Sequence, residues 1–143
     1  MRLRPLVATL AICSCLHATV LVPPSRAEDP APDCANALST ADMNTCAARD
    51  LEKADTELNR VYQEALKSIP DLATDDPNFN AATWEKALRA SQRAWVTFRD
   101  AECNEHVSMF STGGSIGTVE ALSCAQEKTE ERTKELKERY EIE

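Results

Sequence analysis

Residues 51–70 read LEKADTELNRVYQEALKSIP, and their pattern decides the fold class. Apolar or small side chains recur at Leu51, Ala54, Leu58, Tyr62 (or Val61), Ala65 and Ile69, and Ala47 extends the series upstream. Steps of three and four residues place them on one stripe of an α-helix, with charged and amide side chains on the other side. A half-buried strand would alternate every second residue, and this stretch does not. Ser39 or Thr40 can cap the free N–H groups at the start, and Asp42 sits favourably in the first turn. Pro70 brings no N–H, so the spacing predicts a helix that stops there.

The flanking sequence repeats the pattern. The break from Pro70 to Asn80 holds Asp71, Asp75, Asp76 and Pro77, all turn or cap residues. A second helix is expected from Pro77 or Ala81 to about Val107, with a stripe of Trp84, Leu88, Ser91 (or Gln92), Trp95, Phe98 and Glu102 (or Cys103). Both tryptophans fall on that stripe and should reach the core. Residues 111–115, STGGS, hold two of the three glycines and mark the next break. A third helix should start between Ser115 and Thr118 and run almost to the C-terminus. Its stripe is Val119, Leu122, Ala125 (or Gln126), Thr129, Arg132 (or Thr133), Leu136 and Tyr140. Glu130→Lys134 and Glu135→Arg139 fall at the favourable i,i+4 spacing on the wet side. Short connections make neighbouring helices antiparallel. The expected fold is therefore all-α, an antiparallel three-helix up-down-up bundle.

Residues 1–27 carry a different signal. Arg2 and Arg4 precede an apolar run from Leu6 to Val22, and Ser25-Arg26-Ala27 ends it with small residues at the −3 and −1 positions of a cleavage site. This reads as an export signal. A membrane span is the weaker reading, because the run is short and carries His17 and Thr19. Ser14-Cys15 offers a small residue before a cysteine, but Ile12-Cys13 fits a lipid-attachment site poorly, so anchoring at Cys15 is the lesser alternative. Residues 28–38 begin Pro-rich and acidic (EDPAPD, 28–33) and are expected to form a mobile N-terminal tether, with the helical domain at 39–143.

Composition bounds the rest. The chain has 143 residues and a formal charge of −8; residues 1–27 hold three Arg and no acid, so residues 28–143 carry −11. That balance argues against nucleic acid, which is held mainly by Lys and Arg on phosphates. Few aromatics and three glycines argue against a sheet sandwich or barrel. Four cysteines lie beyond residue 27: Cys34, Cys46, Cys103 and Cys124. In a small exported chain they predict two disulfides, on the order of 2–4 kcal/mol each. None sits at the close C-x₂₋₄-C spacing of a zinc site. An up-down-up bundle gathers all four at one pole. A local Cys34–Cys46 link is the least attractive pairing, because it leaves Cys103 and Cys124 to close around the glycine loop. The two crossed patterns stay open.

Polar residues sit beside the apolar stripes. Asp55, Asn59 and Tyr62 share a face of the first helix, Gln92, Trp95 and Arg99 one of the second, and Thr129 and Arg132 one of the third. They are expected to form a structural polar network in which Arg99 or Arg132 pairs with Asp55. Asp55→Ala should then cost several kcal/mol by stranding a buried Arg. A catalytic cluster is the competing reading, but no His or Cys base accompanies these residues, and an Arg-paired Asp stays ionised and chemically quiet. His106 is the one histidine beyond residue 27, and there is no phosphate-binding glycine loop or H-E-x-x-H pair. No catalytic residue, metal or cofactor is expected.

Three motifs then stand in order. The first is Asp33-Cys34, with Ser39-Thr40-Ala41-Asp42-Met43-Asn44-Thr45-Cys46-Ala47 and Ala54-Asp55-x-x-Leu58-Asn59-x-x-Tyr62. The second is Gln92-Arg93-Ala94-Trp95-x-x-Phe98-Arg99-Asp100-Ala101-Glu102-Cys103. The third is Gly113-Gly114-Ser115-Ile116, Cys124 and Thr129-x-x-Arg132-x-x-x-Leu136. Together they resemble the LprI-like (DUF1311) family of small exported bacterial proteins over residues 33–136. Gly117-Thr118 departs from the aromatic-Pro step common there. The resemblance implies a secreted helical domain, and the family takes its name from a lysozyme-inhibiting lipoprotein. Inhibition of lysozyme-type muramidases suits the charge, since a −11 domain would be steered onto a basic protein. Candidate contacts are Phe110 with Gly113 and Gly114, and the Asp71/Asp75/Asp76 loop. The alternative is a structural or accessory envelope domain without an enzyme target.

Overall fold

The structure is a computed structural model that describes residues 31–111 and 114–143. The segment read as an export signal lies outside the described residues, as do Thr112 and Gly113. The described chain is built of three long helices, with no strand among the described residues. Helix α1 is Thr40–Leu72, α2 is Ala81–Asp100, and α3 is Ser115–Tyr140. Helix α2 runs on through a π-helical segment, Ala101–Val107, into a last α-turn, Ser108–Phe110.

Each start has a local cause. Ser39 Oγ accepts from the Asp42 N–H (3.1 Å), and Asn80 Oδ1 accepts from the Thr83 N–H (2.9 Å), satisfying donors that the first turn leaves free. Asn80 thus sets the α2 start at Ala81 rather than Pro77. Helix α3 has no side-chain cap; Gly114 precedes it with φ of 89°, a backbone that a side chain would strain. Pro70 lies inside α1 rather than beyond it. It removes one hydrogen bond, to the Leu66 carbonyl, but the helix needs only two more residues, and the Ala73 N–H closes on Ile69 O at 2.9 Å.

The core follows the α1 and α3 stripes. Leu58, Val61, Ala65 and Ile69 meet Leu136 and Tyr140 in one buried cluster, to which α2 adds Leu88. Tyr62, Leu66, Trp84, Trp95 and Ile142 pack around it half-buried. The two tryptophans therefore flank the core instead of filling it, and Phe98, expected on the stripe, is 54% exposed. Cross-helix bonds set the directions. Arg99 bonds Thr129, Gln92 meets Arg132, and Trp84 meets Tyr140, so numbers fall along α2 as they rise along α3. Helix α2 is antiparallel to α3, and Glu57–Lys137 together with Asp55–Arg99–Thr129 runs α1 parallel to α3.

The disulfides are Cys34–Cys46 and Cys103–Cys124, with Cα–Cα distances of 5.6 and 5.5 Å. This corrects the expectation that the local pairing is least attractive. Asp33 folds the chain before α1 into a turn: its side chain accepts from the Ala35 N–H (3.1 Å) and the Asn36 amide (2.8 Å), and Cys34 comes back against α1. Cys103 meets Cys124 because the π-helical end of α2 packs on the start of α3. Short loops also cost the least entropy to close, which favours sequential partners. Within the stretch read as a tether at 28–38, a covalent bond ties Cys34 to α1.

Candidate functional site

Two arginines organise the polar contacts between the helices. Arg99 Nη1 donates to Asp55 Oδ1 (2.7 Å) and Thr129 Oγ1 (2.9 Å), and Nε donates to Asp100 Oδ1 (3.0 Å). Its guanidinium lies 5.3 Å from the Trp95 ring centroid, a cation–π arrangement. Arg132, buried on α3, donates from Nε to Gln92 Oε1 (3.1 Å), from Nη2 to Ser91 Oγ (3.2 Å) and from Nη1 to Glu135 Oε2 (2.6 Å). Seven of the eight residues read as one network thus fall into two nests or the core rim. Asn59 does not: it is exposed on α1 and joins neither nest. Tyr62 packs against the core, and Arg89 is held above its ordinary value by Glu85 first and by the Tyr62 hydroxyl last.

Ser91, Glu135 and the Trp84 Nε1 donation to Tyr140 Oη (3.2 Å) were missed in the sequence. Ser91 and Tyr140 were legible as stripe members but not as hydrogen-bonding partners. Thr129 and Thr133 sit in the interior because their hydroxyls donate to the carbonyls one turn earlier, Ala125 (2.7 Å) and Thr129 (2.8 Å). The nests hold no histidine or cysteine, and each guanidinium donor named above ends on a carboxylate, amide or hydroxyl oxygen. Their chemistry is that of a clamp between helices. Among the described residues no group of three or more His, Cys, Asp or Glu is placed to hold a metal ion.

The exposed candidates sit at opposite ends. At the disulfide end, Phe110 is 77% and Met109 73% exposed, with Ile116 beside them in sequence on the α3 start. His106 Nδ1 lies 3.3 Å from Glu102 Oε1, and its ring meets Phe110 edge-on at 5.3 Å. Gly114 is exposed in the same connection, and Gly113 lies outside the described residues. At the other end, Asp71, Asp75 and Asp76 are all exposed. Asp76 Oδ1 accepts from the Asn78 N–H (2.7 Å), which shapes the turn. Phe79, 65% exposed, stands within this acidic connection, and the sequence reading passed over it. An aromatic between two asparagines just ahead of α2, the second of them its cap, was the available signal.

A groove of about 480 Å³ runs between α1 and α3, with Ala54 and Thr133 among its lining and Asp50, Lys53, Glu57 and Lys137 along it. Glu57 accepts from Arg60 (2.7 Å) and pairs with Lys137 (2.8 Å), and these bonds, Arg60 foremost, lower its pKa to about 2. The groove is lined by both charge signs, most of them already paired.

The comparisons with known proteins now bear on this arrangement. Residues 33–136 match the family described as Lysozyme inhibitor LprI. An uncharacterised protein of Rhizobium meliloti (strain 1021) is 38% identical over 117 residues, covering 80% of this chain and 84% of that protein. The uncharacterised protein YecT of Escherichia coli (strain K12) is 32% identical over 102 residues, covering 66% of this chain and 60% of YecT. No solved structure matches the chain. The matched region opens at the residue before Cys34 and closes on Leu136, enclosing both disulfides and both arginine nests. The chain belongs to the lysozyme inhibitor LprI family.

Proposed function

We propose that this protein is an exported helical domain that binds and inhibits a lysozyme-type muramidase through an acidic surface or loop. The observation that carries the reading is the family match over residues 33–136. The charge of −11 over residues 28–143 supports it, because a strongly acidic domain is steered toward a basic enzyme. The two disulfides and the lack of any described helix long and apolar enough to cross a membrane fit an exported domain. Its part in this reading is binding, not catalysis: the buried polar groups are spent on clamping helices together.

Two surfaces are offered for the contact. Phe110 and Met109 present an apolar anchor in the connection that holds Gly114, and Asp71, Asp75 and Asp76 present negative charge in the connection that holds Phe79. The α1 helix separates them by about 50 Å at 1.5 Å per residue, so a single small enzyme would engage one of them. Purified residues 28–143 should slow lysozyme-catalysed lysis of cell walls at low salt and micromolar concentration. Loss of that effect in the triple variant Asp71→Asn, Asp75→Asn, Asp76→Asn, with weakening as salt rises, assigns the acidic end. Loss in Phe110→Ala, with little salt dependence, assigns the disulfide end. No slowing at low salt removes the inhibitor reading and leaves an accessory envelope domain.

A further inference from the structure

The two disulfides sit in different surroundings. Cys103 is fully buried and Cys124 half-buried, inside the packing of the π-helical segment on α3. Cys34 is exposed on the short segment before α1, while its partner Cys46 is buried on the helix. Arg49, one turn beyond Cys46, places Nη1 3.4 Å from the Cys34 sulfur. A fixed positive charge therefore stands against an accessible disulfide. Thiol–disulfide exchange spreads negative charge over the attacking, central and leaving sulfurs, and a neighbouring guanidinium stabilises that charge.

We infer that Cys34–Cys46 is a reversible thiol-exchange site, opened by a dithiol reductant while Cys103–Cys124 stays closed. The reductant's thiolate attacks Cys34 Sγ, the accessible sulfur. The Cys34–Cys46 bond breaks, and its electron pair leaves on Cys46 Sγ, which takes a proton from water. The second thiolate of the reductant then attacks its own sulfur in the mixed disulfide. Cys34 leaves as a thiolate, and the reductant becomes a disulfide, having supplied two electrons.

Opening this bond leaves the bundle intact. The α1 cap lies downstream of Cys34: Ser39 Oγ accepts from Asp42 N–H, and the Met43 N–H bonds Ser39 O at 2.9 Å. The apolar cluster begins at Leu58, three turns beyond Cys46. What changes is the tie between the segment that carries Cys34 and α1, together with the appearance of two thiols beside Arg49.

The oxidised protein is treated with graded dithiothreitol, or with a reduced thioredoxin-type dithiol protein at equal concentration, then alkylated and mapped by mass. Cys34 and Cys46 should be labelled roughly tenfold faster than Cys103 and Cys124, with helical circular dichroism retained. Arg49→Gln should slow that step about three- to tenfold, and Arg49→Lys should restore most of the rate. The double variant Cys34→Ser, Cys46→Ser should keep its helical signal. Faster reduction in the thioredoxin arm makes a protein dithiol the physiological source, and equal or slower reduction makes it a small dithiol. Equal labelling of all four cysteines, collapse of the helical signal on opening, or an Arg49→Gln rate equal to wild type overturns the inference.

Discussion

Helices α1 and α3 hold each other by packing, whereas α2 is held mainly by polar pins. Helix α1 buries Ala54, Leu58, Val61, Ala65 and Ile69 toward α3, and α3 answers with Ala125, Thr129, Thr133, Leu136 and Tyr140. Helix α2 buries Leu88 alone along its whole α-helical length. Its other attachments are the Arg99 bonds to Asp55 and Thr129, the Arg132 bonds to Ser91 and Gln92, and the Trp84–Tyr140 bond. The Cys103–Cys124 disulfide closes its far end. Apolar packing is non-directional and tolerates sliding; hydrogen bonds from a planar guanidinium do not. The difference assigns stability to the α1–α3 pair and register to the α2 contacts.

The largest test of that division is Leu136→Ala. Leu136 is fully buried between the helices, so the truncation should cost about 3–5 kcal/mol in urea unfolding. Leu88→Ala removes the same atoms from the sparser α2 side, where neighbours can settle into the gap, and should cost about 2 kcal/mol. Equal losses at the two sites would show that α2 packs as tightly as α3 and erase the contrast.

The polar pins should give less. Asp55 is 41% exposed at its side chain, and Arg99 keeps Asp100 and Thr129 when Asp55 is removed. Asp55→Ala should therefore cost about 1–2 kcal/mol rather than the several expected from a fully buried pair. Its more telling readout is register: indole fluorescence from Trp95, which stacks under Arg99, should shift while the helical signal stays. An unchanged Trp95 environment would reduce the Arg99 nest to ordinary surface pairing.

The smallest effect concerns pH. Glu57 joins α1 to α3 through Lys137, and its pKa falls from an ordinary 4.5 to about 2, through Arg60 first and Lys137 second. A depressed carboxylate contributes stability that is present above its unfolded value and lost as pH falls from about 4.5 toward 2. The partners are two-fifths or one-third exposed, so the contribution stays below about 1 kcal/mol. Thermal melts at pH 6 and pH 3 should converge slightly for Glu57→Gln relative to wild type. A gap that does not narrow would remove Glu57 from the α1–α3 contact.

Much of this was legible in the chain. Apart from Gly117 at the α3 start, the α1 and α3 stripes place the buried residues within one position of where they lie, because spacing of three and four residues is a property of the helix itself. The alternatives Val61 for Tyr62 and Thr133 beside Arg132 mark the limit, since neighbouring residues straddle the edge of a face. Helix α2 was less legible. Its two tryptophans and Phe98 form a good apolar stripe, yet only Leu88 is buried, because α1 and α3 bury their stripes against each other and leave α2 a shallow seat. Asn59 shares a face with Asp55 in sequence but lies exposed on α1, away from the two nests. Phe79 escaped notice because a lone aromatic in a turn has no periodicity.

By itself the sequence determined the helices, the cap of α1, the family and the acidity, all of which depend on local spacing, residue chemistry or ordered motifs. Tertiary structure alone decided the disulfide partners, the division of one expected network into two arginine nests, and which cysteine faces water. Those outcomes depend on how the turns and helix ends bring segments together in space, which residue spacing does not fix. Cys34 meets Cys46 because Asp33 turns the chain back onto α1, and Cys103 meets Cys124 because α2 loosens into a π-helical end that packs on α3.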